Sequence, residues 1–400
     1  MTPADGAQGE PTGVTAPRGF VASGVAAGIK ADGRPDLSLV ATADGRPVAA
    51  AGVFTANLAA AAPVQVSRAH LAATGGRAAA VVLSSGNANA ATGEPGRRAA
   101  AGLCAEVARG LGAAAEEVLV CQTGLIGIPF PSALAEAAVP ALLDARAPGP
   151  AAAEGAATAI MTTDTRRKEV VVHGPGFVVG GMAKGAAMLA PSMATMLAVL
   201  TTDAACEPGV LLELLRQAVA SSFNAMTVDG CTSTNDTVLL LASGQAGPAD
   251  RRALGQAVAQ ACAELAEMMA DDAEGATKVV HVRVTGATSD LEAHQAARKV
   301  AESQLVKCSL NGEDPYWGRV VSELGTAGVP YEHDRVSVAY GGVEVCRDGV
   351  GVEHDQAAVT EHLAGRYVDL HCHLGLGQGQ AVVLTTDLGY GYLDENRTTS

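Results

Sequence analysis

From Gly19 onward, short apolar runs alternate with polar turns. Phe20 to Lys30, Leu37 to Ala41 and Val48 to Phe54 read as strands. They are parted by Asp32-Gly33 and Asp44-Gly45, dipeptides that suit tight hairpin turns. Ala78 to Leu83 and Val118 to Cys121 are continuous apolar runs, the pattern of buried strands. Glu94-Pro95 opens a predicted helix that closes near Gly112, with Pro in the first turn and Gly at the end. Further helices are expected at about 131–145, 151–161, 207–221, 250–270, 290–304 and 354–364. Lys168 to His173 and Phe177 to Met182 predict a hairpin around Gly174-Pro175-Gly176. Strands are expected at Met196 to Leu200, Val238 to Ala242 and Val279 to Val284, and at about 335–346, 367–373 and 381–386. Residues 1–17 read as a loosely attached lead. Strands and helices interleave without a regular βαβ period, which predicts a layered α/β or α+β fold rather than a doubly wound sheet.

Composition narrows this. Apolar residues make up 48% of the 400, ample for a large core, and aromatics only 3%, so the core must be built from Ala, Val and Leu. The net charge of −15, with no basic cluster, argues against nucleic acid and against anionic membrane surfaces. The eight cysteines (Cys104, Cys121, Cys206, Cys231, Cys262, Cys308, Cys346 and Cys372) form no CxxC pair. Reduced thiols in a cytoplasm are expected. Met1 to Pro11 is polar, unlike a signal peptide, and no run reaches the roughly 18 apolar residues of a membrane span.

Several common chemistries have no motif in the chain: no GxxxxGK[ST] loop, no GxGxxG after a strand, no GxSxG elbow. His371 and His373 would share one strand face, but two ligands without a third read as structural, and no metal or cofactor is expected. Polar loops stand out instead: Ser84 to Gly93, Met161 to Thr165 and Met226 to Thr237. Each is open to two readings, a local turn or a support for a site. Thr123-Gly124, after a buried strand, offers a hydroxyl beside a backbone N–H, the donor types of an oxyanion hole, or simply ends the strand. Thr195, inside Met193-Ala194-Thr195-Met196-Leu197, is either an ordinary strand residue or a nucleophile. No Ser-His-Asp triad can be nominated from the scattered histidines. A threonine made N-terminal by cleavage needs none, since its own α-amino group, with a pKa of about 7.7–8.0, is the base.

The stretch from Lys184 to Leu197 resembles the processing signature of the ornithine acetyltransferase / glutamate N-acetyltransferase family. Gly13 to Phe20, Ser85 to Asn89, Thr123-Gly124, Met161 to Thr165, Thr232 to Thr237, Glu274 to Lys278 and Asp314 to Arg319 match that family in the same order. The resemblance implies a self-cleaving enzyme. Thr195 Oγ attacks the Ala194 carbonyl, giving an α chain 1–194 and a β chain 195–400 that stay intimately associated and assemble as α2β2. It implies a layered αββα sandwich similar to N-terminal-nucleophile hydrolases. Thr195 then moves an acetyl group from N-acetylornithine to glutamate by a ping-pong mechanism in arginine synthesis. Some members also use acetyl-CoA. Thr123 and Gly124 would bind the oxyanion, and Thr162, Lys184, Thr195, Glu274, Asn396 and Ser400 match the substrate contacts. Pro191 and the small residues near it are expected to bend the chain for self-cleavage.

The chain departs from the pattern near this expected pocket. Cys231 stands for Asp, Tyr316 for Asn and Gln122 for Ser, and the tail after Asn396 is one residue short. These changes bear on amino-acid specificity. They admit a paralogue of secondary metabolism. An amidase or aminopeptidase of the same fold, or a binding protein that no longer matures, are the other readings.

Overall fold

The structure, a computed structural model, describes residues 13–187 and 196–397. Thr195, Ala194, Pro191 and Ser400 lie outside them. The described chain forms two compact units. The first comprises 13–185, 196–221 and 233–265, and the second 186–187, 222–232 and 266–397.

In chain order, the elements begin with β1 (Phe20–Val25), β2 (Leu37–Thr42), β3 (Val48–Phe54), α1 (Ala62–Ala73), β4 (Arg77–Ala78) and β5 (Ala80–Asn87). Next come α2 (Gly93–Leu111), β6 (Val118–Leu125), α3 (Ser132–Asp144), α4 (Pro150–Ala159), β7 (Lys168–Gly174), β8 (Phe177–Lys184) and β9 (Leu197–Ala205). Then follow α5 (Pro208–Ala220), β10 (Met226–Thr227), β11 (Thr237–Pro248), α6 (Arg251–Asp271) and β12 (Val279–Ala287). The rest are α7 (Asp290–Ala301), α8 (Gln304–Asn311), α9 (Trp317–Leu324), β13 (Ser337–Tyr340), β14 (Val343–Arg347), β15 (Val350–Gly351), α10 (Gln356–Ala364), β16 (Tyr367–His373), β17 (Gly379–Thr386) and α11 (Tyr390–Glu395).

The first unit is the expected αββα sandwich. One sheet has the order β1-β2-β5-β6 and the other β4-β3-β11-β9-β8-β7. Side chains alternate across a strand, so each sheet offers two faces. Val81, Leu83 and Leu119 of one sheet meet Met182, Val199 and Leu239 of the other in a shared core. The outer face of the four-stranded sheet, with Leu39, Val82 and Val120, packs on Leu103 and Val107 of α2 and Leu142 of α3. On the far side α5 lies against β3, and a side chain at Gly181 of β8 would meet Leu265 of α6 and Leu200 of β9. Small residues let these layers close. At Gly24 a Cβ would collide with the Gly155 carbonyl of α4.

The second unit is a seven-stranded sheet, β10-β17-β12-β16-β13-β14-β15. One face carries Val280, Val282 and Val284 against Ala293 and Val300 of α7 and Leu363 of α10. No helix among the described residues is long and apolar enough to cross a membrane, and no cysteine is in a disulfide.

Several boundaries differ from the sequence expectation. The first strand stops at Val25, short of Lys30, because the Asp36 carboxylate accepts the Ala27 and Lys30 amides (2.6 and 2.8 Å) and folds 26–36 into a turn. The expected helix at 290–304 breaks at Ser303, whose hydroxyl caps α8. The expected strand at 335–346 is two strands around Gly341-Gly342, both with positive φ. The helices α1, α9 and α11 were not anticipated. In α1 the alanine-rich run gives little polar contrast, and a buried hydroxyl, Ser67 Oγ on the Val120 carbonyl (2.7 Å), fixes it to β6.

Candidate active site

β5 and β6 run parallel, with Ser85 opposite Thr123 and Gly86 opposite Gly124. Pairing continues through these residues, so Thr123 and Gly124 lie within β6 rather than beyond its end, and β5 extends into the Ser84–Gly93 stretch. Gly124 has φ +131, and a Cβ there would strike the Gly86 and Asn87 backbone. Only glycine lets the two strand ends approach this closely.

Alternation sends Cys121 and Thr123 toward the space between the sheets, and Gln122 the other way. Lys184, the last residue of β8, reaches across and donates from Nζ to Thr123 Oγ1 at 3.4 Å. Lys184 is paired in the sheet with Leu197, two residues after Thr195. Both Thr123 and Lys184 are buried.

Burying the Lys184 ammonium requires a counter-charge, and Asp164 provides it. Its Oδ2 is 3.9 Å from Lys184 Nζ, and its Oδ1 is 2.7 Å from Lys168 Nζ. It also accepts the Gly185 amide (2.7 Å) and the Thr162 amide (3.0 Å). Burial alone would push this carboxyl up. The two ammonium groups and the hydrogen bonds outweigh it and hold Asp164 well below the usual carboxylate range. Thr162 is thereby tied to the same cluster and half buried, whereas its neighbour Thr163 is exposed.

Gln122 does not belong to this face of the strand. It is fully buried and serves an amide network: its Oε1 accepts from Asn89 Nδ2 (2.8 Å) and its Nε2 donates to Ser84 Oγ (3.2 Å). Asn235 Nδ2 ties in by donating to the Gln122 and Ala88 carbonyls. The position flagged by sequence as a pocket departure is therefore a structural hub, for the simple reason of strand alternation.

Asp236, just before β11, is also buried. Its Oδ1 accepts the Met196 amide at 3.0 Å. Burial pushes its carboxyl well above the ordinary range, against the Met196 and Ser233 hydrogen bonds and the charge of Lys184.

In the second unit, Glu274 and Asn396, both expected as substrate contacts, lie side by side. Asn396 Nδ2 donates to Glu274 Oε2 at 2.8 Å, and Glu274 is largely buried. At Gly275 (φ +63) a Cβ would collide with the Gly391 and Tyr392 backbone, so the loop after α6 and helix α11 touch closely. The Tyr392 hydroxyl donates to Asp229 Oδ2 at 3.3 Å, and the Cys231 amide donates to Asp229 Oδ1 at 3.1 Å. Burial, with Asp229, Cys231 and Glu274 nearby, pushes the Tyr392 phenol up. Cys231 is thus beside this acidic group, while Tyr316 is exposed, its ring under the Arg319 guanidinium. His371 and His373 hold the Thr285 hydroxyl between them on the sheet face (2.8 and 3.0 Å).

The sequence reading missed Asp164 and Lys168 as partners, and Asp236 and Tyr392 altogether. Asp164 had a signal, a lone carboxylate among the threonines of Met161 to Thr165. Lys168 had one too, a lysine opening an apolar strand.

A sequence model of the ArgJ family matches residues 21–398. The arginine biosynthesis bifunctional protein ArgJ of Mycolicibacterium paratuberculosis is 48% identical over 395 residues, covering 97% of this chain and 96% of its own. The protein of the same name from Streptomyces coelicolor is 45% identical over 399 residues, covering 97% and 99%. Among solved structures, ornithine acetyltransferase of Mycobacterium tuberculosis, complexed with ornithine, is 43% identical and matches 45% of this chain and 95% of that one, with a TM-score of 0.41. Matched along nearly its whole length by the family's sequence pattern and by bifunctional proteins of arginine biosynthesis, the chain belongs to the ArgJ family.

Proposed function

We propose that this enzyme cuts itself between Ala194 and Thr195 and then uses Thr195 to carry an acetyl group from N-acetylornithine to glutamate. The observation that carries the reading is the meeting of Lys184 and Thr123 at 3.4 Å, with Lys184 paired to Leu197, two residues along from Thr195. Thr123 Oγ1 and the Gly124 N–H stabilise the tetrahedral oxyanion, a contribution of about 3–4 kcal/mol per donor. The α-amino group freed by cleavage takes the Thr195 hydroxyl proton. The acetyl-Thr195 ester forms as ornithine leaves, and the glutamate amine then collects the acetyl group. Lys184 and Glu274 supply the opposite charges that an amino-acid substrate calls for, with Thr162, Asn396 and Ser400 as further contacts. The reading extends to acetyl-CoA as a second acetyl donor. The two chains remain together as α2β2 in the cytoplasm.

Intact mass under denaturing conditions tests the reading. Wild type should give chains 1–194 and 195–400, and Thr195→Ala a single chain. Acetyl transfer to glutamate, rather than release of free acetate, should be the main activity. An uncut chain that is fully active would sink the mechanism, and simple hydrolysis would make the protein an amidase.

A further inference from the structure

Lys30 has no part in the reaction as described so far. The turn after β1 fixes its backbone, because the buried Asp36 carboxylate accepts the Lys30 amide at 2.8 Å. The Asp36 carbonyl accepts the Ser85 amide at 2.9 Å, which docks the turn on β5. The half-buried Lys30 side chain then crosses Gly86, where a Cβ would come within 3.0 Å of its stem. Gly86 is the strand partner of Gly124. Lys30 Nζ ends on two backbone carbonyls, those of Pro35 (2.9 Å) and Met161 (2.8 Å).

The Met161 carbonyl belongs to the peptide group whose N–H, that of Thr162, donates to Asp164 Oδ2 at 3.0 Å. In a trans peptide those two groups point in opposite directions. Lys30 is therefore on one side of this peptide, and Asp164 with Lys184 on the other. These contacts hold Lys30 Nζ within about 8 Å of Asp164 Oδ2. Asp32 is paired with Arg34 (2.6 Å), Asp36 faces Lys30, and Asp164 serves both Lys168 and Lys184. Among these groups the cations outnumber the carboxylates by one. Burial, then Arg34 and, more weakly, Lys184 push the Lys30 pKa down, against Asp36 and Asp32. An anion arriving between the lysines relieves that repulsion.

We propose that Lys30 is a carboxylate-binding residue that selects the acetyl acceptor: its ammonium takes one carboxylate of glutamate, and Lys184 takes the other. This rests on the acetyl-transfer reading given above. Two cations held on opposite sides of one peptide group suit a ligand with two separated carboxylates. Glutamate has them. N-acetylornithine has one carboxylate and, at its far end, an ammonium that Lys30 repels. An ammonium carries three N–H donors, so Lys30 can keep both carbonyls while it donates to the ligand. The two carbonyls hold the charge in place, and no bond made or broken in the transfer involves it. Lys30 thus sets specificity through binding and leaves the chemistry to other groups.

The test compares wild type with Lys30→Met, which keeps a stem over Gly86 without the charge, and Lys30→Arg, which keeps the charge. The kcat/KM is measured separately for N-acetylornithine, for glutamate, and for glutamine, an acceptor of the same shape without the second charge. In Lys30→Met, the value for glutamate should fall by about tenfold or more, and that for N-acetylornithine by less than about threefold. The preference for glutamate over glutamine should fall by about tenfold, and Lys30→Arg should keep it within about threefold of wild type. Equal losses on donor and acceptor, the mark of a lysine that only holds the Met161 carbonyl, would overturn the proposal. So would an unchanged ratio of glutamate to glutamine. A second measurement needs no variant. Wild type is lightly treated with an amine-acylating reagent, and Lys30 modification is followed by peptide mass spectrometry. Saturating glutamate should slow it several-fold, and glutamine should not. Equal rates with and without glutamate overturn the proposal as well. A wild type that moves no acetyl group to glutamate defeats the functional reading, and this proposal with it. An active wild type beside a Lys30→Met of unaltered preference defeats only the role of Lys30.

Discussion

In the first unit, Lys184 and Lys168 share Asp164 in the interior, their side chains 3% and 0% exposed. In the second, Glu274 leans on one amide, that of Asn396, which is itself exposed. The first arrangement is a network of charges and backbone amides that stands or falls together. Each buried member would lose a compensating partner without the others. The second is a single hydrogen bond at the edge of a fold that does not depend on it. The cationic cluster is therefore part of the scaffold as well as of the proposed site. The acidic pair is closer to a replaceable attachment point, and substitutions should separate the two.

The largest effect is expected at Asp164. Asp164→Asn takes a shared carboxylate from two buried ammonium groups and should cost about 3–5 kcal/mol, read by denaturant unfolding. The pH dependence has a definite sign. The folded-state pKa is depressed, so the stabilisation is full above the unfolded value of about 3.9 and is lost as pH falls through the folded value. Wild type should lose stability with acid in that window, and Asp164→Asn should show a flatter acid limb. Equal stability of the two proteins would mean that Asp164 does not hold the lysines.

Gln122→Ser comes next. It restores the residue of the family pattern but removes the side-chain partners of Asn89 Nδ2 and Ser84 Oγ. A cost of about 1–3 kcal/mol is expected, with the ratio of kcat/KM values between amino-acid substrates unchanged, because Gln122 points away from Thr123. A shift in substrate preference at unaltered stability would reverse this assignment.

These two cases show what sequence alone could reach. A layered α/β or α+β fold was legible because Ala78 to Leu83, Val118 to Cys121 and Met196 to Leu200 are apolar runs set among helical stretches, whereas the αββα sandwich came from the family resemblance. The loops worth watching were legible as clusters of Gly, Asn and Thr. What the residue order could not carry was pairing. Asp164 meets Lys184 and Gly185 from about 20 residues away, and Asp236 meets Met196 from 40. No local periodicity encodes a contact between a loop and the end of a distant strand. The facing of Gln122 failed for another reason. The strand was ended at Cys121, and once β6 runs on to Leu125, alternation assigns Gln122 and Thr123 to opposite sides.

The acidic region should respond more weakly. Asn396→Ala removes one hydrogen bond at the surface, and about 0.5–1.5 kcal/mol of stability is the expected loss. Its larger consequence should be a raised KM for the amino-acid substrate with kcat nearly unchanged, the signature of lost uniform binding. Initial-rate kinetics would check this, and a fall in kcat at constant KM would contradict it.

Cys231→Asp should hardly touch stability, with a change within about 0.5 kcal/mol, since the residue is exposed and its backbone contact to Asp229 needs no particular side chain. Electrostatically it is not neutral. It sets another carboxylate beside Asp229, in the group where Glu274 already acts on Tyr392. If Glu274 faces the substrate, the added negative charge favours a cationic side chain over an anionic one. The kcat/KM for N-acetylornithine relative to that for glutamate should then rise by about threefold to tenfold at low salt, the size of a surface interaction of roughly 1 kcal/mol. Because exposed charges are screened, the effect should shrink as ionic strength goes from about 0.05 to 0.5 M. A preference that moves but ignores salt would point to a packing change instead. A preference that does not move at all would place Cys231 beyond reach of the substrate, and the acidic region would then be as much scaffold as the lysine cluster is.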